Sequence, residues 1–115
     1  MYRFSYAEVL EDSSQDCRRR EYEALERADQ LLKAAEGSPS QSREMLEAII
    51  FVQRLWTFLI KDLGHPDNGL PDKLKGQLIS IGLWVMKETD RIIRGEHNNV
   101  AALIDINLMI KDGLK

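Results

Sequence analysis

The side chains able to do chemistry are few. Cys17 is the only cysteine and His65 and His97 are the only histidines. One cysteine makes no internal disulfide, and a zinc site draws its ligands from closely spaced pairs such as C-x-x-C or H-x-x-x-H, which do not occur. A di-iron bundle needs Glu-x-x-His, carboxylate and imidazole one turn apart, and that pair is missing too. His65 follows Gly64 and His97 follows Gly95-Glu96, so both read as helix-end residues, solvated or partnered with a helix terminus. The spacing supports no Ser-His-carboxylate or Cys-His pairing, and Gly64 and Gly69 lack the lysine and strand of a phosphate loop. The expectation is a chain that is not an enzyme, with no catalytic residues, no cofactor and no metal.

Arg18-Arg19-Arg20 is the one basic run, and it sits among Glu11, Asp12, Asp16, Glu21, Glu23 and Glu26. A phosphate would meet as much repulsion there as attraction. Arg19 and Glu23 are four apart and Arg20 and Glu23 three, which suits an ion-paired, solvated helix face. Residues 1–36 carry 6 basic and 9 acidic groups, so the net charge of −3 arises there and the remainder sums to zero. Direct binding of nucleic acid is not expected.

Partner recognition has more support. Tyr2, Phe4 and Tyr6 alternate at the N-terminus, a pattern wasted in a free tail; they either cap their own domain or form an arm that docks into a groove. Gly76 and Gly82 fall inside a helical stretch, each at a cost of about 1 kcal/mol against alanine. Gly82 lies among large apolar residues beside Trp84 and Met86, so something approaches closely there, a neighbouring helix of the same chain or a guest. Trp56 and Trp84 suit either the core or an anchor at the mouth of a groove.

The elements that would position these residues are helical. With 115 residues the chain has the length of one domain, and 43% apolar content is enough to fold by core packing. Prolines and most glycines cluster at Gly37–Pro39, at Gly64–Pro71, at Gly95 and at Gly113, and the stretches between read at helical period. The fold class is all-α: an antiparallel bundle of four main helices, over about 13–36, 41–63, 71–94 and 99–112, in a single domain 1–115. A short N-terminal helix or arm covers about 1–12, with Ser5 capping 6–11. The run from Leu78 to Val85 is rich in strand formers, but alternation fails within it and Leu74, Leu78, Ile81, Val85 and Ile92 keep helical spacing across it.

On the first main helix Tyr22, Leu25, Ala28, Leu32 and Ala35 form one stripe. The second has two, Leu46, Ile49, Val52, Trp56, Leu59 and Leu63 beside Ile50, Phe51, Leu55, Phe58 and Ile60, and the last helix is also apolar on most of its girth. The second and third main helices are expected at the centre. A bundle seam uses a stripe of about 100° per helix, so apolar surface is left over. The N-terminal aromatics, another protein or a second copy would cover it. No apolar run exceeds five residues, the length of Ala48 to Val52, so no membrane span is expected. Met1 to Ser5 lack the basic cluster and apolar core of a secretory signal, which points to the cytoplasm.

Tyr2-Arg3-Phe4-Ser5-Tyr6-Ala7-Glu8, Val52-Gln53-Arg54-Leu55-Trp56-Thr57-Phe58 with Lys61-Asp62-Leu63, Asn68-Gly69-Leu70-Pro71-Asp72-Lys73-Leu74, and Leu78 to Met86 together resemble the flagellar biosynthesis regulator FlaF family, from Tyr2 to Gly113. The resemblance is weakest over Asp12 to Arg27 and Gly37 to Ser42. It implies a small cytoplasmic protein of flagellated alphaproteobacteria, needed for motility, that acts after transcription on flagellin production and is linked to a second regulator, FlbT. It also implies direct binding of flagellin, whose terminal amphipathic segments bury their apolar faces only in the filament. On that basis the chain is a flagellin-binding secretion chaperone that also promotes flagellin synthesis. Its groove would comprise Trp56, Leu63, Leu78, Gly82, Met86, Ile106 and Met109, with Tyr2, Phe4 and Tyr6 as a lid. The alternative is a regulator that reaches flagellin messenger through FlbT and touches flagellin little.

Overall fold

A computed structural model describes the backbone of residues 6–113 and the side chains of residues 19–113. Four helices follow one another, α1 (Tyr6–Ala35), α2 (Arg43–Leu63), α3 (Asp72–Ile93) and α4 (Ala101–Asp112), with no strand among the described residues. Tyr2 and Phe4 lie outside that range, as does the side chain of Tyr6. A short piece over 6–11 separate from a helix over 13–36 does not appear; α1 is continuous through Ser13 and Ser14. Neither glycine nor proline occurs between Tyr6 and Glu36, and an interior serine costs roughly half a kcal/mol against alanine, too little to break a long helix.

Helix ends follow local chemistry. Gly37 takes φ +82°, which lets the chain turn back while the Ser38 N–H donates to the Ala35 carbonyl at 2.9 Å. Ser42 caps α2: its Oγ accepts from the Met45 N–H at 3.3 Å. Gly95, at φ +81°, ends α3, with the Glu96 N–H donating to the Arg91 carbonyl at 3.0 Å. Val100, which precedes α4, has no capping side chain, and Asn99 takes over by accepting the Ala101 N–H at 3.0 Å. The strand-forming run inside α3 is helical because that period buries Gly82, Val85, Thr89 and Ile92 on one side.

α2 packs against both α1 and α3, and α1 packs against α4. The first apolar stripe of α2 is thereby used, with only Leu55 of the second: Met45, Ala48, Ile49, Val52, Leu55, Trp56, Leu59 and Leu63 are all buried. Leu25, Ala28, Leu32 and Ala35 come from α1, and Val100, Leu103 and Ile104 from the start of α4. The centre therefore holds α2 but not α3, contrary to the expectation for both. Among the described residues α3 has one extensive neighbour, α2, and buries four residues of its twenty-two. The connections on either side of α2 and α3 meet at one end, where the Asn98 side-chain amide donates to the Ser38 carbonyl at 2.8 Å. At 1.5 Å per residue α1 is about 45 Å long and accounts for the 50 Å long axis of the molecule.

Candidate partner-binding surface

Two close approaches fix the interior around Trp56. The indole Nε1–H donates to Asn107 Oδ1 at 2.9 Å, joining α2 to α4 in a buried site where Trp56 is 1% exposed. On the α3 side, a Cβ at Gly82 would stand 2.7 Å from Ile60 Cγ1 and 3.1 Å from Trp56 Cε3. The close neighbour of Gly82 is thus α2 of the same chain. A polar contact reinforces this seam, with Gln53 Nε2 donating to Thr89 Oγ1 at 3.1 Å while the Thr89 hydroxyl donates to the Val85 carbonyl at 2.8 Å.

The α1–α4 seam is less well satisfied. Asp29 is 3% exposed and neither carboxylate oxygen accepts a hydrogen bond; Lys111 Nζ stands 3.7 Å from Oδ2. Burial pushes the Asp29 carboxyl above its ordinary value, against the opposing pull of Lys111 and Lys33. Lys111 also lies 5.8 Å from the centroid of the Tyr22 ring, a cation–π distance. Asn107 Nδ2 is likewise buried without an acceptor.

The residues expected to line a groove are dispersed in burial. Trp56, Leu63 and Gly82 belong to the core. Leu78, Met86 and Ile106 are half-buried, Met86 with its sulfur 3.9 Å from the Thr57 hydroxyl. Met109 is 65% exposed. Large apolar side chains that do face solvent include Ile50 and Phe58 on α2, Leu70 and Leu74 around the start of α3, and Leu83 and Trp84 on its outer side. Ile50 and Phe58 come from the second stripe of α2, the part that its two neighbours do not reach. Leu83 fits neither the buried side of α3 nor any stripe, and its signal is that mismatch: a leucine off the apolar face of an amphipathic helix.

Polar groups outside the core serve local structure. His97 Nδ1 accepts from the Asn99 N–H at 3.1 Å, which leaves Nε2–H to donate to Glu88 Oε2 at 3.1 Å and ties the last connection to α3. Arg91 bridges Glu88 at 3.0 Å and Glu96 at 3.2 Å. His65 Nδ1 accepts the Asp67 N–H at 3.1 Å within the exposed turn after α2. Among the described residues no three of His, Cys, Asp and Glu are grouped to hold a metal ion, and no helix is long and apolar enough to cross a membrane. Cys17 and Arg18 have no described side chain, and Arg19 is engaged with other groups of the chain.

Large apolar side chains thus stand in solvent on α2, α3 and α4, outside a core whose polar contacts are internal. Compared with known families, residues 2–114 match the model of the family described as flagellar protein FlaF. No curated protein and no solved structure matches the chain.

Proposed function

Because the chain belongs to the FlaF family of flagellar proteins, we propose that it binds flagellin in the cytoplasm as a secretion chaperone and promotes flagellin synthesis and export after transcription. It acts by binding, without catalysis or cofactor. The observation that carries this reading is the set of large apolar side chains left in solvent, with Phe58 54%, Leu83 59% and Met109 65% exposed on α2, α3 and α4. Scattered single residues of this kind are ordinary, whereas neighbouring ones, such as Leu83 and Trp84 side by side on α3, mark an interaction site when they form a contiguous patch. Unassembled flagellin presents the matching chemistry, amphipathic terminal segments with no filament neighbour to bury them. Apolar contact would supply affinity and charged neighbours orientation, and release for export requires that the affinity be moderate.

The test is calorimetry of the purified protein with monomeric flagellin and with flagellin lacking either terminus. Heat with the intact protein and loss of heat on removing one terminus is the expected result. Absence of heat with intact flagellin overturns the reading.

A further inference from the structure

The two interior glycines of α3 differ in what surrounds them. Gly82 is explained by α2, whose Ile60 and Trp56 leave no room for a Cβ. At Gly76 a Cβ would meet nothing within 4 Å. A glycine in a helix interior is unfavourable relative to alanine, and at Gly76 no contact with the described residues requires it.

Gly76 lies on the outward side of α3, where Lys73, Gly76, Ser80, Leu83, Trp84 and Lys87 are all exposed. At 100° per residue these six positions share an arc of about 100°, opposite the side that packs on α2. Leu83 is 59% and Trp84 39% exposed, next to the small pair Gly76 and Ser80. Within α3 this arc carries three charges, all positive: Lys73 and Lys87, which have no ion-pair partner among the described residues, and Arg91, which is held by Glu88 and Glu96. The acids of the last turns of α3 point their charge elsewhere, Glu88 to Arg91 and His97 and Asp90 to Arg94.

We propose that this outward face of α3 is a docking site for an amphipathic helix of a partner protein with acidic residues flanking its apolar stripe. The partner helix crosses nearest at Gly76 and Ser80, where the lack of side-chain bulk lets two helix axes approach to about 8 Å. Leu83 and Trp84 cover its apolar stripe, and Lys73 and Lys87, one on each side of the crossing, pair with its acids. A second copy of this chain is a poorer occupant, since the charges on the arc are all positive and the face turned on itself sets lysine near lysine, with Asp72 the only acid at its edge that has no partner among the described residues. Nucleic acid is disfavoured as well: two unpaired cations over four turns neutralise few phosphates, and an exposed leucine beside a glycine offers no base contact. The inference deepens the partner-binding reading above by naming the surface and the charge of its occupant.

The experiment uses two labelled synthetic helices of 18 residues or so, alike in a leucine and alanine stripe and differing in flanks of glutamate or of lysine. Their binding to the whole protein is followed by fluorescence anisotropy at low and at physiological salt. The acidic helix should bind at least about tenfold more tightly than the basic one, and more weakly as salt rises. Gly76→Leu should weaken it by about tenfold or more while the variant melts no lower than the parent, because the position is exposed, its Cβ meets nothing and leucine is the better helix former. Lys73→Glu/Lys87→Glu should reverse the preference. Equal affinity for the two helices, no binding of the acidic one at about 0.5 mM, or unchanged binding to Gly76→Leu overturns the proposal, as does a single-stranded RNA oligomer that binds the same face more tightly. Flagellin is absent from this assay, so its outcome is separate from that of the flagellin titration.

Discussion

The indole N–H of Trp56 on α2 donates to the side-chain carbonyl of Asn107 on α4 at 2.9 Å, in a site closed to solvent. α2 and α4 are 37 residues apart between the end of one and the start of the other, and this bond, with the packing around it, fixes their register. Asn107 contributes only one of its two polar ends, since Nδ2 finds no acceptor. The pair is thus specific but imperfectly satisfied, and its two halves are unequal in what their loss would leave behind.

Trp56→Phe removes ring volume from the core and strands Asn107 completely, and should lower unfolding free energy by about 2–4 kcal/mol. Asn107→Leu orphans only the indole N–H while removing the unpaired Nδ2, so about 1–2 kcal/mol is expected. Combined in one chain, the two changes should cost less than their sum by about 1 kcal/mol, because no buried polar group then lacks a partner. Urea unfolding of the four proteins checks this, and simple additivity would show that the bond carries no coupling.

Alanine should act oppositely at the two glycines of α3. At Gly76, where there is open space, it should stabilise by about 0.5–1 kcal/mol through helix propensity. At Gly82 the new methyl meets Ile60 at 2.7 Å and the rigid Trp56 ring at 3.1 Å, and Gly82→Ala should cost about 1–3 kcal/mol. Ile60→Ala should relieve part of the Gly82→Ala penalty, since Ile60 is the nearer of the two obstacles. Thermal melts of the variants read the signs directly.

Asp29 predicts a pH dependence with a definite sign. Burial raises its pKa in the folded protein above the ordinary 3.8, so the folded state holds the proton more tightly than the unfolded chain does. The stability this provides is complete below 3.8 and is lost as pH rises through the folded value. Asp29→Asn does not titrate, so its stability relative to the parent should increase as pH rises from 3.8 and level off above the folded value. Urea unfolding of both proteins between about pH 3 and pH 7 measures the difference, and a constant difference would contradict a raised pKa.

Exposure separates the apolar residues that hold the fold from those free to bind. Leu83→Ser and Met109→Ser, at positions 59% and 65% exposed, should each change stability by no more than about 0.5 kcal/mol. Leu103→Ala, buried on α4, should cost about 3 kcal/mol. If flagellin uses the outer face of α3, Leu83→Ser weakens its binding and Met109→Ser does not, which titration of both variants would resolve.

Much of the fold follows from local rules that act within a few residues. Helical spacing overrides the strand-forming run from Leu78 to Val85 because a helix there buries a continuous side, and glycine and proline mark the ends of α1 and α3. The stripe Leu25, Ala28, Leu32 and Ala35 is buried because period alone sets it on one side of α1. The family, too, is carried by the sequence, since it rests on the order of residues along nearly the whole chain.

What the sequence left open is which neighbour each apolar side would meet. A helix apolar all round, as α2 is, gives no local sign of whether Trp56 faces the core or a guest; only the placement of α4 puts Asn107 against its indole. Gly76 and Gly82 look alike in sequence, yet Gly82 is pressed against α2 while Gly76 stands open, because among the described residues α3 has an extensive neighbour on one side only. The Asp29 and Lys111 pair, 82 residues apart, is likewise set by the docking of α4 on α1. Local propensity acts through the chain's own backbone and can be read in order. Burial depends on atoms distant in sequence, and those meet only when the helices pack.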